Sequence, residues 1–428
     1  MLICVVARTI ICFKQKGESI MRKIHKNIVV IDNYLRVLVV KENNTIRLPS
    51  CNVTIPAHFV CGEKHYAYVT DKQYSFKIIN SSFIAINIAL QSFAFEEDRQ
   101  ALLYFMFHIK DFEQDDITLE SFDFVKALEK MDIQALSKIS KSDLHNHTPF
   151  GGSRELIKEL SGKEIPILDR HFKSIPEMNK WCDDNIKAPN DYQYRMYACF
   201  KQAEQDGIKV FAPNIATCAK KNFPSLDCFI NFINELIQDF SDSMDIYPEL
   251  ALDRNKYSED LKDLVIKLLD TGMFYSIDIT GDEALGVQNF KEIYDIASSY
   301  GIIKKAHVGE FSHANAIFDA IKTLDLDAVH HGISAIEDER LMDYLVKHKI
   351  SLTMCPSSNY FLSRVRSIAN HPIKQLYHYG VGVSVCSDDI LIFGSSVSNE
   401  YKILYENKVL NAFELNAIRL DGLNFYAK

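Results

Sequence analysis

From Ser140 to the C-terminus, short apolar runs alternate with longer stretches whose apolar positions recur every three or four residues. The short runs read as strands and the longer stretches as helices, the pattern of an α/β protein. The predicted strands are Ser142–His145, Lys209–Pro213, Asp245–Leu252, Phe274–Ile279, Lys304–His307, Ala328–His330, Ser351–Met354 and Val381–Cys386. Eight strands, each followed by a helical stretch, are what a (β/α)8 TIM barrel needs to close. Upstream the pattern differs. Asn27–Asp32, Leu35–Lys41, Thr45–Leu48, Cys51–Pro56, Tyr66–Thr70 and Tyr74–Asn80 are short, β-branched or aromatic, and separated by polar turns. Phe83–Phe95 is apolar and fits either a strand or a helix, whereas Glu96–His108 and Leu119–Leu136 have helical spacing. The expected organisation is a β-rich accessory domain at 1–115, a helical connector at 116–140 and a barrel at 141–428.

Composition narrows the partners. The 428 residues are 47% hydrophobic and 25% charged, with a formal charge of −9, values of a globular protein without a disordered bias. No basic stripe with interleaved aromatics occurs, which excludes nucleic acid and favours a small molecule. Ten cysteines are scattered with no CxxC pair, so no cysteine metal cluster is predicted, and a reducing cytoplasm fits. The apolar run Leu2–Phe13 is too short to span a bilayer and lacks a basic leader, so no membrane association is expected. Met21, ahead of Arg22 and Lys23, is the expected start.

The chemistry concentrates in four islands that close predicted strands: Asp143-Leu144-His145-Asn146-His147, His307-Val308-Gly309-Glu310, His330-His331-Gly332 and Ser387-Asp388-Asp389. At a strand end, alternate residues share a face, so His145 and His147 can both turn into a barrel mouth. With His307 and Asp388 they make three imidazoles and one carboxylate, a donor set suited to one zinc ion, with iron, cobalt or manganese as alternatives. Such an ion would acidify a water. Glu310 lies in the loop beyond His307, near the metal without being forced to ligate it. His331 could accept the water proton or hold hydroxide in line, and Asp389 is free to bond a polar substrate edge. Of the pair His330 and His331 only one is expected to face inward, with His330 structural. Cys355 and Asn359 are expected to shape their loop, and His371 to be an ordinary surface or core residue.

These islands, with Gly281-Asp282-Glu283 and Cys355-Pro356-Ser357-Ser358-Asn359, resemble the adenosine deaminase family of metal-dependent hydrolases from about Lys141 to the C-terminus. The resemblance implies zinc on His145, His147, His307 and Asp388. It further implies that Glu310 shares a proton with purine N1, that His331 positions and deprotonates the attacking water, that Asp389 bonds N7, and that Gly281 offers its N–H to N3. The implied reaction is hydrolytic deamination of an aminopurine nucleoside such as adenosine. After its HxH the family continues Leu-Asp-Gly, with the aspartate on ribose, whereas this chain has Thr148-Pro149-Phe150-Gly151-Gly152-Ser153. The glycines and a Ser153 N-cap could present N–H groups to an anion or hydroxyl, so a nucleotide or a modified adenosine is an alternative substrate. Ile165–Lys187, with Phe172, Met178 and Trp181, resembles the family's helical lid. Competing readings are another barrel amidohydrolase, for which strand four lacks the lysine of a two-metal site, and a nucleoside-binding scaffold without turnover.

Overall fold

A computed structural model of the chain describes residues 119–186 and 192–427, together with six short strands ahead of them. Those strands are β1 (Leu2–Val6), β2 (Val40–Glu42), β3 (Thr45–Leu48), β4 (Val53–Pro56), β5 (Tyr66–Thr70) and β6 (Phe76–Ile79). They form two antiparallel three-stranded sheets, ordered β1-β5-β6 and β2-β3-β4. The apolar run at Leu2 thus contributes a strand, paired with Tyr66–Thr70. The predicted strand Asn27–Asp32, most of Leu35–Lys41, the apolar run Phe83–Phe95 and the predicted helix Glu96–His108 lie outside the described residues. The chain divides into two compact units, Met1–Lys130 and Met131–Lys428. The single helix expected over Leu119–Leu136 is two, Leu119–Glu129 and Ile133–Leu136. Met131 adopts a left-handed φ of 53°, which an α-helix cannot accommodate, and Asp132 caps the second helix by accepting from Ala135 N–H.

In the second unit every strand predicted from the sequence is present, as β7 (Lys141–His147), β8 (Ile208–Ala216), a two-residue β9 (Asp245–Ile246), β10 (Glu249–Asp253), β11 (Ser276–Thr280), β12 (Ile303–Val308), β13 (Ala328–His331), β14 (Ser351–Met354) and β15 (Val383–Val385). The expected strand Asp245–Leu252 is interrupted at Tyr247-Pro248, where proline can donate no ladder hydrogen bond. The ladder runs parallel in the order β15-β14-β13-β12-β11-β10-β8-β7. It closes where Asn146 bridges Asp388: His147 N–H donates to Asp388 O at 3.1 Å and Asp388 N–H to His145 O at 3.0 Å. The fold is a TIM barrel.

The helices follow from spacing and caps. Leu226–Phe240 buries Phe229, Ile233, Leu236 and Phe240, one stripe at steps of three and four, and Ser225 accepts from Cys228 N–H at its start. Ser153, Ser174 and Ser258 cap their helices in the same way, each cap contributing about 1 kcal/mol.

The barrel axis is polar where many barrels pack branched aliphatics. Lys305 Nζ lies 2.7 Å from Glu249 Oε2, both side chains fully buried. Ser276 Oγ donates to the same oxygen at 2.8 Å, and Glu249 Oε1 meets His330 Nε2 at 2.8 Å and Asn214 Nδ2 at 3.0 Å. Despite its burial, Glu249 stays well below the usual carboxylate range because Lys305 and His330 flank it. This layer forms the floor under the site.

Candidate active site

Two features of the first island do different work. Asp143 and Asn146 lash the barrel shut: Ser387 donates its N–H to Asp143 Oδ1 at 3.1 Å and its hydroxyl to Oδ2 at 2.5 Å, while Asn146 Nδ2 donates to Asp143 at 3.0 Å and to Ser387 at 2.8 Å. His145 and His147, two residues apart, bring their rings together with centroids 5.4 Å apart. The same closure brings Asp388 to them. Its backbone has a left-handed φ of 61°, an uncommon conformation for aspartate that the bridge to Asn146 holds in place.

His145, His147, His307 and Asp388 come together. His147 Nε2 is 3.2 Å from Asp388 Oδ1 and 3.2 Å from His307 Nε2, and His145 Nε2 is 3.5 Å from Asp388 Oδ1. His307 Nδ1 faces Asp278 Oδ1 at 3.0 Å, so its proton lies on that side and the Nε2 lone pair points to the cluster. Among the described residues, His145 Nε2 and Asp388 Oδ1 are buried without a hydrogen-bond partner. Ligand atoms about 2.0–2.1 Å from a tetrahedral ion would stand about 3.3–3.4 Å apart. The observed spacings, the orphaned donor atoms and the N/O donor set fit a divalent transition metal. Charge agrees. Burial alone would lower His147, yet Asp389 and Asp388 overcome it and raise the group to about 10. This is a place that favours positive charge. Burial and the surrounding imidazoles hold His145 well below its usual range.

Glu310, His331 and Asp389 adjoin the same cluster, all buried: His331 Nε2 is 3.9 Å from Asp388 Oδ2, Glu310 Oε1 is 3.4 Å from His331 Nδ1, and Asp389 groups with His147 and Asp388. Burial, then Asp388 and Glu283, pushes Glu310 well above the usual carboxylate range, which favours its neutral acid form. Asp389 rises to about 8, from burial and the adjacent Asp388. Burial holds His331 well below the usual histidine range although Asp388 pulls the other way. The expectation that only one of His330 and His331 faces inward does not hold. His330 faces the axis and bonds Glu249 and Thr353; His331, with φ 61°, breaks the strand's alternation and reaches Glu310. Both rings lie beside His145, at 4.0 and 4.7 Å between centroids. Gly281 has φ 101°, which itself calls for glycine, and a Cβ there would crowd Asn255 and Asp253.

Several residues escaped the sequence reading. Glu283 accepts backbone N–H groups from Gly309 (2.7 Å), Glu310 (3.1 Å), Phe311 (3.0 Å) and Ser312 (3.1 Å), and the Ser312 hydroxyl as well. One carboxylate thereby fixes the loop that carries Glu310. Asp278 orients His307, and Asn359 touches both Glu310 and His331. The Gly281-Asp282-Glu283 and Cys355–Asn359 motifs contained two of these three, but a motif alone does not say what each member touches.

The segment after His147 is built for packing. A Cβ on Gly151 would overlap Asn146 and Cys199, and one on Gly152 would stand 2.7 Å from Ala198 Cβ on the helix Tyr192–Gln205. The glycines therefore admit that helix. Thr148 Oγ1 donates to Asn214 O at 2.8 Å, Arg195 donates to Pro149 O at 3.1 Å, and Ser153 caps the next helix. Above, Ile165, Leu168, Phe172 and Ile186 form an apolar cluster with Leu391, Ile392 and Phe393, against which Phe150, Trp181, Phe311 and Phe361 pack.

The sequence model of the adenosine deaminase family matches residues 172–425. The chain belongs to the adenosine deaminase family. This deaminase is 32% identical to an adenine deaminase of Chlorobium phaeobacteroides over 311 residues, 68% of this chain and 91% of that one. It is 39% identical to an adenosine deaminase of Plasmodium gallinaceum over 153 residues, 35% of this chain and 42% of that protein. In fold it is similar to an adenine deaminase from Arthrobacter aurescens, with a TM-score of 0.59 at 22% identity, covering 66% of this chain and 92% of the other. The chain is therefore a deaminating, metal-dependent hydrolase. Among the described residues no helix is long and apolar enough to cross a membrane.

Proposed function

We propose that this deaminase hydrolyses the exocyclic amine of a 6-aminopurine, with adenosine the simplest nucleoside substrate, giving the 6-oxo product and ammonia. The observation that supports this reading is a buried neutral acid, Glu310, beside the cluster of His145, His147, His307 and Asp388. Those four would hold one zinc ion, which when bound brings the pKa of a water from about 15.7 toward roughly 7. Glu310 donates its proton to N1 and so draws electrons from C6. His331 positions the incoming oxygen. Asp389, protonated below about pH 8, donates to N7, and Gly281 faces the N3 edge. A C–O bond forms at C6 and the C6–N bond breaks; of the two hydrogens of water, one leaves on ammonia and the other replaces the proton that Glu310 gave to N1. The free thiols Cys218 and Cys228, both exposed, favour a reducing cytoplasm.

A second reading, favoured by the absence of a carboxylate after His147, is a free aminopurine base or a substituent other than plain ribose. The test is ammonia release by metal-replete protein from a panel of aminopurine bases, nucleosides and nucleotides. Glu310→Gln should lower kcat by about 10²- to 10⁴-fold with metal content unchanged. Stoichiometric zinc with no ammonia from any member would sink the reading, as would a Glu310→Gln variant of full activity.

A further inference from the structure

We infer that Asn359, locked by His371, fixes the proton of His331 on Nε2 and makes that histidine a hydrogen-bond donor to the pocket. This rests on the deamination reading and assigns positioning roles to two residues outside it. The chain of hydrogen bonds starts from a group whose polarity is certain. The backbone N–H of Ile373 donates to His371 Nδ1 at 3.2 Å, so that nitrogen carries a lone pair. In neutral imidazole the proton then sits on Nε2, which faces Asn359 Oδ1 at 3.1 Å and donates to it. The amide is thereby oriented, since a reversed Asn359 would set its NH2 against the His371 N–H. Its two hydrogens are left for the two atoms in front of it, Glu310 Oε1 at 2.7 Å and His331 Nδ1 at 3.1 Å.

Both partners must accept. His331 Nδ1 accepting excludes an imidazolium and excludes the Nδ1–H tautomer, so Nε2 carries the proton. The third side of the triangle agrees: His331 Nδ1 and Glu310 Oε1, two acceptors with no proton between them, stand furthest apart at 3.4 Å. Glu310 Oε1 accepting leaves Oε2 to bear the acid proton. His371, Asn359 and His331 are at most 3% exposed and Glu310 is 9% exposed, so water does not compete strongly for these bonds. His331 therefore holds the attacking oxygen by donating to it, and in this tautomer its Nε2 is not a base.

The test reads the tautomer directly. Metal-replete protein with 15N-labelled histidine would be compared with its His331→Gln variant to assign the His331 signals by long-range proton–nitrogen correlation. The expected result is an unprotonated Nδ1 and a protonated Nε2. Asn359→Asp offers an acceptor in place of the donor, and should move the proton to Nδ1 and lower kcat about 10- to 100-fold with a smaller effect on KM. His371→Gln, whose amide can still donate to Asn359, should keep the wild-type tautomer, and His371→Leu should not. A wild-type His331 protonated at Nδ1, or an Asn359→Asp variant with an unchanged tautomer, overturns the inference. The wild-type spectrum decides even where a variant fails to fold. Absence of ammonia release with Nε2 protonated would instead count against the deamination reading alone.

Discussion

At the scale of single residues, the site works by pushing neighbouring carboxyl groups apart. Asp388 and Asp389 are adjacent in sequence, yet the first is held below the usual range, despite burial, by His147 at 3.2 Å and by the nearby His331. The second is raised to about 8 by burial and by Asp388 itself. A carboxyl held low thus stands beside one raised to about 8. The consequence for pH has a definite sign. A donor with a raised pKa is present below that pKa and lost above it, so kcat/KM should fall as pH rises through about 8. A cation on the cluster pulls Asp389 downward, which makes about 8 the upper bound for this limb. Glu310, raised well above the carboxylate range, loses its proton in the same direction. Asp389→Asn keeps a donor at every pH, so its pH–rate profile should lack the limb that Asp389 supplies. Identical profiles for variant and wild type would remove Asp389 from the substrate edge.

At the scale of elements, strands supply position and the loops after them supply chemistry. The eight barrel strands were legible because each is a short apolar run, four of them ending on a polar island. The helices were legible because their apolar stripes and serine caps are local. What was not legible depends on contacts distant in sequence. Glu283 acts on residues 26 to 29 positions away, and Glu249 reaches His330 across 81 positions. Spacing along one chain carries no sign of such pairs. His371 gave no signal at all, and Gly151 looked like a ligand glycine although its need is space against a helix. The loop that carries Glu310 offers a direct test of positioning. Glu283→Gln keeps the shape but replaces one acceptor oxygen by a donor facing the N–H cluster of residues 309–312. It should lower kcat by about 10- to 100-fold through misplacement of Glu310, with metal content retained. A variant with wild-type kcat would mean that the loop is held by its other contacts.

At the scale of the whole barrel unit, a polar axis lies beneath an apolar roof, and the contrast bears on what the site admits. The axis charges are mutually paired: Glu249 with Lys305 and His330, and Asp278 with His307 and Asn214. They build the floor and leave the recognition of substrate to the rim. That rim is drawn from the loops after the chemical islands: Phe150 follows His147, Phe311 follows Glu310, Phe361 follows β14 and Phe393 follows Asp389, all in one apolar cluster. In the segment after His147, the Thr148 hydroxyl is engaged by Asn214 O and the Pro149 carbonyl by Arg195. No carboxylate stands there to receive a sugar hydroxyl. A polar group buried without a partner costs about 1–3 kcal/mol, so a ribose brought under this roof weakens binding unless the rim opens. The free base has no such cost, and on the proposed reading its ring edges would meet Glu310, Asp389 and Gly281. We therefore expect kcat/KM for adenine to exceed that for adenosine by at least about tenfold, the equivalent of roughly 1.4 kcal/mol. Competition of the two substrates in one reaction, with both 6-oxo products quantified, measures that ratio directly. A ratio in favour of adenosine would mean that another loop supplies the ribose partner that the segment after His147 lacks.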